Sequence, residues 1–252
     1  MNFSIVIPLY NQVDMASWHV KFYNALYKIR QDFEVIFEDD GSSDSTQKYM
    51  EAKGSDKLFP YTYSWSPNIG FTVAAAKNRA IRKAKGSWLL IIDGDTFVDP
   101  ETLRAYDRIQ KDENTVYFGK RYSVAMKSLD KALHYGFPTV IEDKRDWRGF
   151  LQDIPPAPFW HFSGANFLVS RKVAKELGYA PGDWLGYGYD DYYMAINYLI
   201  HDKKFQAVND SVAYHCEDKP KEGDPVTRKR LNDLIDEHEL QLRVLGQPIK
   251  KF

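Results

Sequence analysis

The first third of the chain alternates short apolar runs with amphipathic stretches, and each run ends in small or acidic residues. That is the rhythm of strands and helices around a parallel sheet. Residues 3–7 read as a buried strand halted at Pro8. Met15, Trp18, Phe22, Leu26 and Ile29 then recur at helical spacing behind a cap at Asp14. A second strand spans 34–38, and the turn Asp39-Asp40-Gly41-Ser42-Ser43 leads to a helix opened by Asp44 or Ser43. A strand over 61–65, a helix over 71–85 and a strand over 87–92 complete this part, the last running directly into Asp93-Gly94-Asp95. Open sheets of this kind collect ligands at the carboxyl ends of their strands. Asn11, Asp39 with Asp40, and Asp93 with Asp95 are therefore expected to converge.

After about residue 120 the alternation gives way. Residues 120–160 are long, mixed in charge and rich in proline and aromatics, which in a compact domain marks an active-site loop or cover more often than a passive connection. Residues 165–170 read as a strand, 171–177 as a short helix ending at Gly178, and 189–201 as a helix carrying Met194, Ile196, Tyr198 and Leu199. Two short strands are expected around Asn209-Asp210, within 205–214. A single docked helix is expected over 226–245, with Leu231, Leu234, Ile235, Leu242 and Leu245 on one face and Gly246 as its cap.

A hydrophobic share of 44% over 252 residues is enough for a substantial core. Acids and bases nearly cancel, at 35 against 34, so no overall basic field favours nucleic acid or anionic lipid. Cys216 is the single cysteine, which excludes an internal disulfide framework and suits a reducing compartment. Neither a signal peptide nor a transmembrane segment is expected, and the expected location is cytoplasmic. The 17 Tyr and 6 Trp exceed what a core demands and suit flat, amphipathic ligands such as bases and sugar rings.

Asp93-Gly94-Asp95 sets two carboxylates one small residue apart at the end of a buried strand, where both can face a hard divalent cation such as Mg²⁺ or Mn²⁺. Such an ion would neutralise a diphosphate leaving group. The same spacing also fits a solvated turn, so neighbouring motifs decide. Ile5-Val6-Ile7-Pro8-Leu9-Tyr10-Asn11, Glu38-Asp39-Asp40-Gly41-Ser42-Ser43-Asp44, Asn68-Ile69-Gly70 with Ala76-Lys77-Asn78, and Ile92-Asp93-Gly94-Asp95 follow one another over about 95 residues. In this order and spacing the chain resembles the family-2 type of nucleotide-sugar glycosyltransferases.

The resemblance implies an α/β chain of the GT-A, Rossmann-like fold, with a mixed central sheet and helices on both faces. It implies a UDP-sugar donor, with Pro8, Tyr10, Asn11 and Asn68 along the nucleotide and Asp39 or Asp40 accepting the imide N–H of uracil. Lys77 stands where the family has arginine, so Lys77 or Arg79 would meet the phosphates. Asp95 would be the direct ligand of Mn²⁺ (or Mg²⁺). Asp93 would touch ribose, metal-bound water or the metal, with Gly94 between them.

The second half carries a further likeness. Trp184-Leu185-Gly186-Tyr187-Gly188-Tyr189-Asp190-Asp191 resembles the W-G-W-G-G-E-D segment of the β-1,4-galactosyltransferase and chondroitin-polymerase branches. Leu185, Tyr187 and Tyr189 depart from it. The likeness implies that Trp184, Tyr187 and Tyr189 stack on the acceptor, that Asp190 grips it, and that Asp191 removes the hydroxyl proton. It also implies that His215 completes the metal site, that Gly164 and Asn166 touch the donor sugar, and that His161 is a pocket wall. The chain divides on this reading into a nucleotide-sugar-binding half, 1–119, and an acceptor-binding and catalytic half with a C-terminal helix, 120–252, fused into one domain.

The expected activity is an inverting, metal-dependent transfer of a sugar to an acceptor hydroxyl with an Asp general base. A sugar-nucleotidyltransferase would need a glycine-rich, basic phosphate loop after strand one, and residues 8–14 contain neither. A non-catalytic carbohydrate-binding protein on the same fold is the other alternative. The acceptor is open between glycan, protein and other hydroxyl compounds. A nucleic-acid acceptor is the minority reading, motivated by Lys120, Arg121, Lys127, Lys131 and Arg228-Lys229-Arg230 and diluted by Glu142, Asp143 and Asp146.

Overall fold

The computed structural model describes residues 1–52, 57–124, 162–216, 222–247 and 251–252. Its strands are β1 (Phe3–Leu9), β2 (Phe33–Asp39), β3 (Tyr61–Trp65), β4 (Trp88–Ile91), β5 (Thr96–Val98), β6 (Thr115–Val124), β7 (Phe167–Ser170) and β8 (Lys204–Cys216). The helices are α1 (Val13–Tyr27), α2 (Thr46–Glu51), α3 (Val73–Lys83), α4 (Thr102–Arg108), α5 (Arg171–Leu177), α6 (Asp190–Ile200), α7 (Pro225–Glu237) and α8 (Glu239–Val244).

The strands form one sheet in the order β3-β2-β1-β4-β7-β6-β8-β5. Strands β3, β2, β1 and β4 are mutually parallel. Strand β7 then runs antiparallel to both β4 and β6, and β5 runs antiparallel to β8. Because side chains alternate across a strand, β1 feeds two cores. Val6 packs with α3, α5, α6, α7 and α8 on one face, and Phe3, Ile5, Ile7 and Leu9 pack with α1, α2 and α4 on the other. This is the expected mixed sheet covered on both faces.

Four expectations change. Residues 205–214 lie within one strand, because Asn209 and Asp210 sit in a bulge: Val208 pairs with Gly119 and Val212 with the next residue, Lys120. The C-terminal helix breaks at His238 into α7 and α8 before Gly246, whose φ is 71°. Asp14 lies inside the first turn of α1 rather than capping it, and Ile29 is exposed beyond the helix end. The segment expected to loop from residue 120 begins as the second half of β6; its part from 125 on, with His161, lies outside the described residues. Residues 119 and 120 lie within β6, at its register shift. No described helix is long and apolar enough to cross a membrane.

Candidate active site

The loops after β1 and β2 clasp each other. Asn11, at φ 50°, accepts on Oδ1 from the amides of Ser43 (2.7 Å) and Asp44 (3.2 Å), while its own amide donates to Ser42 Oγ at 2.8 Å. Asp39 is fully buried: Oδ1 accepts from the Gly41 and Ser42 amides and Oδ2 from the Tyr63 hydroxyl. Asp40 accepts from the amide and hydroxyl of Thr72, the residue before α3, and from Arg79 Nη2 at 3.2 Å. Gly41 is required here. Its φ is 89°, and a Cβ would lie 2.3 Å from the Asn68 backbone nitrogen. Asn68 in turn donates to the Tyr10 hydroxyl at 3.0 Å.

Helix α3 delivers the cation. Lys77, 1% exposed, donates to Asp93 Oδ1 at 2.7 Å and to the Tyr179 hydroxyl at 3.0 Å. Burial works against its charge, but Asp93 outweighs that and holds the ammonium above its ordinary pKa. Burial likewise opposes ionised Asp93, and Lys77 reverses the balance, keeping this carboxyl below its usual value.

One turn beyond, Asp95 meets the end of β8, where Thr96 pairs with His215 and the Cys216 amide donates to the Asp95 carbonyl at 2.8 Å. His215 Nε2 lies 3.2 Å from Asp95 Oδ1, and one ligand atom each of Asp93, Asp95 and His215 fall within 4.8 Å of one another. Asp95 Oδ1 is buried, and its contact with His215 Nε2 is an ion-pair distance rather than a well-directed hydrogen bond. Two carboxylates and an imidazole this close together are a donor set that fits a hard or borderline divalent cation, Mn²⁺ or Mg²⁺. Arg121 Nη2 donates to His215 Nδ1 at 3.0 Å.

The opposite wall is the start of α6. Tyr189, at φ 63°, turns the chain so that Asp190 and Asp191 open the helix. Asp191 Oδ2 accepts from the Gly164 amide at 3.3 Å and Oδ1 from the Tyr192 amide at 2.9 Å. Asp190 is bonded to the Tyr179 hydroxyl. Burial, reinforced by Asp191 and Asp93 and opposed by Lys77, pushes its carboxyl up to about 6.

These walls enclose a cavity of about 1040 Å³. Of the residues expected from sequence, Pro8, Tyr10, Asp40, Asn68, Lys77, Asp93, Gly94, Asp95, Gly164, Tyr187, Tyr189, Asp190, Asp191 and His215 line it. Asn11, Asp39, Arg79, Asn166 and Trp184 do not. Asn11 and Asp39 hold the loops just described, and Arg79 is spent on Glu38 and Asp40. Asn166 is buried, donating to the Lys120 carbonyl and Ser211 Oγ. Trp184 is 1% exposed in the core beneath its turn, with the Arg230 guanidinium over its ring. Between Lys77 and Arg79, Lys77 is thus the cation on the cavity.

Tyr179, which ties Lys77 to Asp190, carries no sequence signal beyond following Gly178. Arg121 was legible only as part of a basic patch. Of that patch, Lys127 and Lys131 lie outside the described residues, while Lys229 and Arg230 pair with Asp233 and Asp183.

The chain is similar to known proteins. The chain is 25% identical to chondroitin synthase of Escherichia coli over 246 residues, 88% of this chain but 35% of that protein. It is 30% identical to the uncharacterised glycosyltransferase YfnE of Bacillus subtilis over 86% of this chain and 65% of YfnE. The chain thus spans about a third of the chondroitin synthase. Among solved structures, the 1–349 fragment of S. aureus TarS in complex with UDP-GlcNAc superposes with a TM-score of 0.65 at 16% identity, over 100% of this chain and 68% of that one. GalNAc-T7 with UDP, GalNAc and Mn²⁺ gives 0.60 at 17% identity, over 94% and 48%. The fold is therefore GT-A. The profile described as glycosyl transferase family 2 matches residues 4–178, more than half of the chain, and the protein belongs to that family.

Proposed function

We propose that the protein transfers a sugar from a UDP-sugar to an acceptor hydroxyl with inversion at the anomeric carbon. One observation carries this reading: the Asp93–Asp95–His215 cluster and the Asp190–Asp191 pair face a single cavity with Lys77 between them. A nucleotide fits the end lined by Pro8, Tyr10, Asn68 and Asp40. There Asp40, the one of the Asp39-Asp40 pair on the cavity, accepts the uracil imide N–H. The UDP and UDP-GlcNAc complexes of GT-A neighbours support this donor class. Asp95, His215 and Asp93 would hold Mn²⁺ or Mg²⁺, which when bound neutralises the departing diphosphate.

The chain's own groups do the rest. Lys77 adds positive charge beside the phosphates. Tyr187 and Tyr189 offer faces for the acceptor, and Asp190, anchored to Tyr179, holds a sugar hydroxyl. Asp191 is the general base: its carboxylate is oriented by the backbone amides of Gly164 and Tyr192, while Asp190 is held by the Tyr179 hydroxyl. It takes the proton as the acceptor oxygen attacks C1 from the side opposite UDP. In this division residues 1–119 hold the donor, and 120–252 hold the acceptor and supply the base. Relatives named for chondroitin and poly(ribitol-phosphate) chains favour a glycan or polyol acceptor.

A hydrolysis screen of UDP-sugars and GDP-sugars with and without Mn²⁺ tests the reading before any acceptor is known. Metal-dependent release of UDP from one UDP-sugar is expected. Metal-independent turnover or a GDP-sugar preference would overturn it.

A further inference from the structure

Helix α1 buries one ionisable group that no step above uses. His19 is 0% exposed, with its ring stacked on Phe97 at 4.2 Å and 18°, a second stack on Tyr23 at 5.9 Å, and an edge contact to Phe37. An all-carbon ring would fill such a slot without cost. The imidazole instead carries a buried Nδ1 that has no hydrogen-bond partner among the described residues, which is destabilising on its own. What the ring gains is at its other nitrogen: Nε2 lies 2.9 Å from the carbonyl oxygen of Gly94. A carbonyl only accepts, so Nε2 bears the proton and Nδ1 the lone pair. Burial lowers the pKa of His19 to about 4, which keeps the ring in this neutral form.

Gly94 is the residue between the two carboxylates of the candidate metal cluster. Its other side is closed: a Cβ there would lie 2.4 Å from the Pro8 carbonyl and 2.3 Å from Gln12 Oε1. The peptide is therefore pressed against the end of β1 and the start of α1, and His19 supplies the directional contact that fixes its plane. The planes of the flanking peptides set where the Asp93 and Asp95 side chains leave the backbone.

We propose that His19 is a positioning residue for the divalent-cation site, donating to Gly94 so that Asp93 and Asp95 converge on one ion. This rests on the metal reading proposed above. His19 touches neither ion nor substrate; it acts through the backbone that joins two ligands, as outer hydrogen bonds commonly do at metal sites.

Two substitutions separate the donor from the ring. His19→Phe keeps the aromatic stack and removes the donor, whereas His19→Gln presents an amide N–H near the Nε2 position and loses the stack. Mn²⁺ titration of the metal-free full chain, with a melting curve for each variant, reads both properties. His19→Phe is expected to bind Mn²⁺ about tenfold more weakly while melting no lower than the wild type. His19→Gln is expected to melt lower while holding Mn²⁺ within about threefold of the wild type. Wild-type affinity in a folded His19→Phe, or equal weakening in both variants, would overturn the proposal and leave the metal site standing. A wild-type chain that binds no Mn²⁺ would remove the metal site and this role together.

Discussion

In the parallel half of the sheet, β3-β2-β1-β4, every site residue but Lys77, which α3 carries, stands at or just past the carboxyl end of a strand: Pro8 at the end of β1 and Tyr10 after it, Asp40 after β2, Asn68 after β3, Asp93 after β4. In the mixed half, β7-β6-β8-β5, where β6 and β8 are parallel and the other pairings antiparallel, the contributors come from unlike places. His215 lies at the end of a bulged strand, Arg121 in the middle of β6, Gly164 just before β7, and Asp190 with Asp191 at a helix start. The first half is positioned by topology, since parallel strands share one carboxyl edge. The second is positioned by pairing register, which sets His215 against Thr96 on one side and Ser123 on the other. Damage to the first should remove a ligand. Damage to the second should displace one.

The largest effect is expected where the two halves meet. Asp95→Ala takes a ligand from the cluster, and metal-dependent UDP-sugar turnover should fall by about 10³-fold with the melting curve unchanged. Turnover near wild type at saturating Mn²⁺ would detach Asp95 from the chemistry. Asp191→Asn, on the other side, keeps the shape and loses the proton acceptor. Transfer should slow by about 10²-fold while UDP affinity stays at the wild-type level. Asp190→Asn should instead weaken acceptor binding more than it slows saturated turnover. A collapsed rate in Asp190→Asn beside a near-normal one in Asp191→Asn would move the base by one residue.

Asp190 also allows a test of stability. Its carboxyl ionises at about 6 in the folded chain against 3.8 as a free side chain, so the unfolded state releases its proton first and folding is opposed by this group above pH 6. The opposition fades as pH falls from 6 towards 4. Asp190→Asn should accordingly stabilise the protein by about 3 kcal/mol at pH 8 and by little at pH 4. Urea unfolding at both values checks the sign; equal effects at the two pH values would refute the coupling.

Displacement alone is tested by Gly164→Ala. A Cβ there would lie 2.8 Å from Asp191 Cβ and 2.6 Å from the Tyr179 hydroxyl, so the base shifts without being changed. Transfer should drop about tenfold with donor affinity preserved, as rate constants for positioned proton transfer are sensitive to small misplacements.

The same contrast explains what was legible in the sequence. The parallel strands and their motifs are local: a buried apolar run, a turn after Leu9 or Asp39, an amphipathic helix. Strand β5 is only three residues long, and β6 interrupts its apolar pattern with Lys120 and Arg121, so neither had a periodic signature. Arg121 thus read as surface charge. Asp39 and Asp40 are adjacent acids in one turn. Only the positions of Tyr63 and Thr72, 24 and 32 residues away, decide which one is consumed inside the protein and which reaches the cavity. Trp184 and Asn166 belong to motifs that bind sugars elsewhere. Here burial under the turn and a hydrogen bond to Ser211 assign them to the scaffold.

The bulge in β8 bears on how the gene tolerates changes in length. Residues 209–211 have no partners on β6, while Val212 to Cys216 pair one for one with Lys120 to Val124. Ser211 is bound to Asn166, while Asp210, at the crest of the bulge, is exposed. A codon inserted or lost there would be taken up locally, because the segment beyond is gripped by β6 and β5 at once. A codon inserted between Val212 and His215 would turn the imidazole to the far face of the sheet. Within one strand, a few residues separate a stretch open to insertion and deletion from one closed to them.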